Sequence, residues 1–198
     1  MSPMLRKLLI WIAVLLAVLL PLALAVNSPL LQWRSIPYIV AGIAGVLGLG
    51  VLLVQPLLAG RHLPGLSPIQ NIRVHRIAGG ALVFLVVAHV VGLWISSPPD
   101  VIDALLFRSP TPFSAFGVIA MWAVFATGLL ALMRKRLRMQ AKVWRVVHLV
   151  CASIIVSGTI VHALLIEGTM ETFSKIVLCT FVGFAFVKTT FDIHRRNA

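Results

Sequence analysis

NIRVHRIAGGALVFLVVAHV, residues 71–90, opens polar and basic, turns continuously apolar, and holds one histidine near its start and another near its end. KVWRVVHLVCASIIVSGTIVHALL, residues 142–165, repeats the plan, with its two histidines at the same fourteen-residue spacing. Each stretch is long enough to cross about 30 Å of hydrocarbon as a helix rising 1.5 Å per residue. An ionisable side chain in such a span is expensive to bury and marks function by default. One histidine alone is as often a packing residue as a ligand. Four of them, in two equal spacings, make packing a poor account.

The rest of the chain is built the same way. Its 198 residues are 60% hydrophobic and 11% charged, with mean hydropathy +1.05, whereas a water-soluble domain carries about 25% charged residues. Apolar runs fall at about 8–26, 36–59, 76–96, 113–133, 146–166 and 173–191, each of the length a transmembrane helix needs. Residues 1–198 are therefore expected to form one all-α integral membrane domain, a six-transmembrane-helix bundle. The first run follows a basic start, MSPMLRK, and ends A-L-A as a signal peptide does. Its apolar part exceeds the usual signal length, so a retained helix is expected. In AGIAGVLGLG, 41–50, the small residues allow close helix packing. Cys151 and Cys179 both lie inside spans and read as small apolar fillers.

The net charge of +12 is distributed by topology. In a six-span plan Arg6, Lys7, Arg61, Arg73, Arg76, Arg134, Lys135, Arg136, Arg138, Lys142, Arg145, Lys188, Arg195 and Arg196 share one side. Arg34, Arg108 and Lys175 fall on the other, with Asp100, Asp103, Glu167 and Glu171. The positive-inside rule then puts both termini in the cytoplasm. The basic loops orient the chain and attract anionic membrane lipid, and no nucleic-acid partner is expected.

Fourteen residues at about 100° each come close to four whole turns, so His75 and His89 share one helix face, as do His148 and His162. Along the axis each pair is separated by about 21 Å. The third and fifth spans run in the same direction, which sets His75 beside His148 near the inner surface and His89 beside His162 toward the outer one. Two facing imidazoles are the axial ligand set of a six-coordinate haem b, whereas zinc takes three or four protein ligands, often Cys or carboxylate. No carboxylate is spaced to complete either pair. Gly79, Ala152, Gly158 and Gly92 lie about one turn from the histidines and are expected to leave room for a flat macrocycle. Arg73, Arg76 and Arg145 flank the inner pair, either as contacts for haem propionates or as topology charges. With both axial positions filled, such centres transfer electrons and offer a substrate no open site at the metal, so no catalytic side chain is expected.

HRIAGG followed by AHVVGL, and VWRVVHL followed by VHALL, resemble the ferric reductase-like transmembrane domain, a superfamily of ferric reductases, NADPH oxidases and the haem subunit of the bacterial methionine sulfoxide reductase system. The resemblance is strongest from about 55 to 166. It implies two haem b groups, His75 and His148 holding the inner one and His89 and His162 the outer. It also implies an oxidoreductase component fed by cytoplasmic FAD or FMN and NAD(P)H chemistry. No G-x-G-x-x-G or P-loop pattern occurs in these residues and the sequence closes on FDIHRRNA. Either a separate flavoprotein reductase or reduced flavin supplies the electrons, or the natural chain is longer. Four intact histidines favour the ferric reductase and oxidase side, since the methionine sulfoxide reductase subunit lacks one of them.

The expected function is transfer of electrons across a membrane, the bacterial inner membrane by this reading, to a ferric chelate, oxygen or a periplasmic protein. Loop 96–112, with a short helix in IDALLF and the charges of Asp100, Asp103 and Arg108, is expected to cover the outer haem. The alternative is a transition-metal transporter or metal-binding membrane protein using the same histidines. A transport path calls for polar groups between its sites and for broken helices, and RIAGGALVFLVVA and LVCASIIVSGTIV supply almost none. His62 and His194 read as solvated residues, Trp11 and Trp94 as headgroup anchors, and Phe84 and Trp122 as packing residues in preference to lining the space between haems.

Overall fold

Proline after a small polar residue starts most of the helices, where its missing N–H and fixed φ cost nothing. The computed structural model describes residues 2–197. They form α1 (Pro3–Val26), α2 (Ile36–Ala59), α3 (Pro68–Ser96), the short α4 (Pro98–Leu105), α5 (Pro112–Met133), α6 (Ala141–Leu165) and α7 (Thr172–Asn197). All the helices except α4 are long and apolar enough to cross a membrane, and the described residues contain no strand. The protein is an all-α, six-span integral membrane bundle.

Several helices outrun their apolar stretches. α3 begins at Pro68 rather than near 76, because Ser67 and Gln70 form a reciprocal capping box (Gln70 N to Ser67 Oγ 3.2 Å, Ser67 N to Gln70 Oε1 2.7 Å). α6 likewise starts at Ala141, and α7 runs on to Asn197. Hydropathy marks the part of a helix that faces hydrocarbon, while caps mark where it begins. Arg73, Arg76 and Arg145 therefore stand on helical turns and not in loops. The helix expected in IDALLF is the segment Pro98–Leu105 instead, ending just before Phe107, whose φ is 56°.

α2 packs on α3, α1 and α7; α5 packs on α6; α7 also touches α6 and α1, and α3 touches α5. α2 is the most enclosed span, with Ala41, Ala44, Val46, Leu49, Leu52 and Leu53 buried. Small residues set these approaches. A Cβ on Gly92 would lie 2.9 Å from Ala41 Cβ and from the Pro37 carbonyl, and one on Gly50 would lie 2.9 Å from Val18 Cγ1. The outside is apolar, as hydrocarbon demands: Leu15, Leu16, Phe84, Leu132 and Phe184 all point away from the bundle. α3 and α6 do not pack closely on one another. Each rests on its own neighbour, and the space between them is where the histidines meet.

Candidate functional site

α3 and α6 are each continuous from one histidine to the next, so the four-turn spacing carries straight into space. His75 faces His148 with ring centroids 6.0 Å apart and planes at 75°. His89 faces His162 at 6.4 Å and 85°. Two imidazoles trans on one metal, each with a metal–nitrogen bond of about 2.1 Å, have centroids about 6–6.5 Å apart. Both pairs stand at that separation.

The outward nitrogens are held by backbone. His89 Nδ1 hydrogen-bonds the Ala41 carbonyl at 2.7 Å, His162 Nδ1 the Phe113 carbonyl at 2.9 Å, and His75 Nδ1 the Gln55 carbonyl at 3.3 Å. A carbonyl partner makes Nδ1 the protonated nitrogen and leaves Nε2 its lone pair for a metal. The first two bonds share one device. Gly45 lies one turn after Ala41 on α2 and Gly117 one turn after Phe113 on α5, and each leaves the space in which a ring sits. A Cβ there would stand 3.1 Å from His89 Nδ1 and 2.7 Å from His162 Nδ1. His148 is held differently: its Nδ1 has no hydrogen-bond partner among the described residues, while the Trp144 indole stacks on the ring at 5.1 Å and 22°. The Arg134 guanidinium lies over that indole, 5.3 Å from its centroid.

His89 and His162 line a cavity of about 620 Å³ between α2, α3, α5 and α6, within the ~300–1,000 Å³ of ligand sites. Gly45, Gly48 and Gly117 form part of its wall, α4 contributes Val101, Ala104 and Leu105, and Asp100 is at its rim. Ser97 Oγ donates to Asp100 Oδ2 at 2.6 Å. No group of three or more His, Cys, Asp or Glu side chains able to hold a metal occurs among the described residues. Two-imidazole sets suit a metal that brings its own equatorial ligands, as haem iron does, better than they suit zinc. The donor set, the glycine seats and the cavity all fit a haem.

The structure brings together all four histidines singled out in the sequence, in the pairs expected. Arg73, Arg76 and Arg145 are exposed beside the His75–His148 pair. The glycines near the histidines act otherwise than expected. Gly92 admits α2, Gly158 admits α5 (a Cβ would lie 3.1 Å from the Phe116 carbonyl), and Gly79 faces Gln55. They bring helices together, and the residues that make room for the rings are Gly45 and Gly117. Phe84 and Trp122 are 70% and 56% exposed and point outward. His62 lies in the loop after α2 as expected but is half-buried there, its Nε2 3.5 Å from Asp192 Oδ2. Trp11 donates to the Pro64 carbonyl at 3.1 Å, tying α1 to the loop after α2. The seats on α2 and α5, Trp144 and Gln55 went unseen because no spacing along one helix reveals which face of another will meet it.

Comparison with known families finds that the model for "Ferric reductase like transmembrane component" matches residues 44–159. No curated protein and no solved structure matches the chain.

Proposed function

The chain belongs to the ferric reductase-like transmembrane family, and from that premise we propose that it is a di-haem b protein carrying electrons across a membrane. The family is generally haem-binding and works with a flavin and NAD(P)H partner. His75 and His148 would hold one haem near the side of the termini, and His89 and His162 the other near α4. A haem held between each pair of imidazoles would supply one-electron chemistry.

The chain's own residues do the rest. The carbonyls of Ala41, Phe113 and Gln55 hold the Nδ1 protons, so the rings stay oriented through each change of iron charge. The walls around His89 and His162 are largely apolar. Arg73, Arg76 and Arg145 would neutralise propionates of the haem at the termini side. By the positive-inside rule that side is cytoplasmic, so a flavoprotein reductase or reduced flavin delivers electrons there. They leave at the α4 side, to a ferric chelate, oxygen or a periplasmic protein; the bacterial inner membrane is the fitting location.

The observation that carries this reading is the pair of facing imidazole sets at 6.0 and 6.4 Å. A dithionite-reduced minus oxidised spectrum of the purified protein, with haem counted per chain, tests it. Two six-coordinate b-type haems are expected, and one should remain, still reducible, in His89→Ala or His162→Ala. Absence of haem after expression with ample haem supply would sink the reading.

A further inference from the structure

The cavity that receives His89 and His162 also contains a buried cation. Lys175, in the first turn of α7, lines it with only 5% of its surface exposed, and lysine is rarely buried unless it is paired. Its Nζ donates to the carbonyl of Ile166, the C-cap of α6, at 2.7 Å. That contact caps α6 but occupies one of three ammonium donors. The N-terminus of α7 disfavours a positive charge as the end of α6 favours it, so the helix dipoles offset.

No carboxylate among the described residues pairs with this charge. Neither ion pair among the described residues includes Lys175, and the acidic residues lining the same cavity, Asp100 and Glu167, are both exposed, as is Glu171 just before α7. The other cation on the lining, Arg34, is exposed and lies over the Tyr38 ring, 4.8 Å from its centroid. An ammonium taken out of water into a largely apolar cavity calls for an anion inside it. We propose that Lys175 receives a carboxylate in this cavity. The proposal rests on the di-haem reading, and the carboxylate has two sources: a propionate of the haem held by His89 and His162, or an anionic acceptor that enters beside it.

Lys175→Gln keeps a donor for the Ile166 carbonyl and removes the charge, while Lys175→Arg restores the charge. A nearby positive charge favours the reduced iron. If the ligand is a propionate, Lys175→Gln lowers the midpoint potential of the haem that His162→Ala removes, and Lys175→Arg returns it. If the ligand is the acceptor, the potential falls as well, because the charge lies in the same cavity, and the reoxidation rates tell the two apart. Reoxidation of the reduced protein by ferric citrate then slows in Lys175→Gln, while reoxidation by hexaammineruthenium(III), which has no carboxylate, does not. Should Lys175→Gln not accumulate, Lys175→Met, apolar like the span around it, gives the same readouts. Two haems with unmoved potentials and unmoved reoxidation rates overturn the role of Lys175 and leave the di-haem reading standing; a wild-type chain without haem overturns both.

Discussion

Gly117 and Gly45 show how much a missing side chain contributes to this site. Each sits one turn after the carbonyl that its histidine engages, and each occupies the contact that a Cβ would close. The tighter seat is Gly117, where the added carbon would stand 2.7 Å from His162 Nδ1 and 2.8 Å from Cε1. Gly117→Ala should therefore push the ring off the Phe113 carbonyl and out of line with His89. The expected result is one haem per chain instead of two, counted as the pyridine haemochrome, with the His75–His148 centre intact. Gly45→Ala, at 3.1 Å from His89 Nδ1, should act in the same direction and more mildly. The histidines were legible in the sequence because a polar group in an apolar span is conspicuous. These two glycines were not, since glycine is common in membrane helices and only the approaching ring gives these two a purpose.

α3 illustrates what a helix needs beyond apolarity. Its hydrocarbon-facing stretch begins near 76, yet His75 must already be within a formed turn for its Nδ1 to meet Gln55. The Ser67–Gln70 capping box, with Pro68 at the first position, supplies that turn. Losing an N-cap side chain costs about 0.5–2 kcal/mol. Ser67→Ala should thus speed amide exchange at residues 69–72 and loosen the haem at His75 while leaving the centre at His89 unchanged, as hydrogen exchange and haem content on one sample would show. Asn71, 2% exposed and donating to the carbonyls of Leu66 and Ser67 at 3.1 Å, braces the same junction. The opposite end of α3 passes into α4 with only Ser97 between them, so the ligand helix leads directly into the cavity wall.

Over the whole molecule, two helical hairpins, α2–α3 and α5–α6, present matching halves of one site. In each the earlier helix supplies a carbonyl and a glycine, and the later one supplies the histidine. α7 then bridges the two halves through α2 and α6, and its Thr189 hydroxyl donates to the Pro56 carbonyl at 3.0 Å. The two interior cysteines are the only ones in the chain, so added surface thiols report orientation cleanly. In right-side-out spheroplasts, Leu106→Cys, exposed beyond α4, should react with a membrane-impermeant maleimide. Arg136→Cys, between α5 and α6, should react only after lysis. The reverse pattern would place the termini outside and reverse the direction of electron flow proposed above.

The six spans, their order and the pairing of histidines by depth follow from the sequence alone. Hydrocarbon leaves a backbone no partner but itself, which forces helices, and a 3.6-residue turn then brings residues fourteen apart onto one face. Tertiary structure decided what stands behind each ring. Carbonyl seats on α2 and α5, the Trp144 stack and the buried Lys175 all depend on which faces of separate helices meet. That choice is made by close packing between segments far apart in the chain, and no periodicity within one segment encodes it.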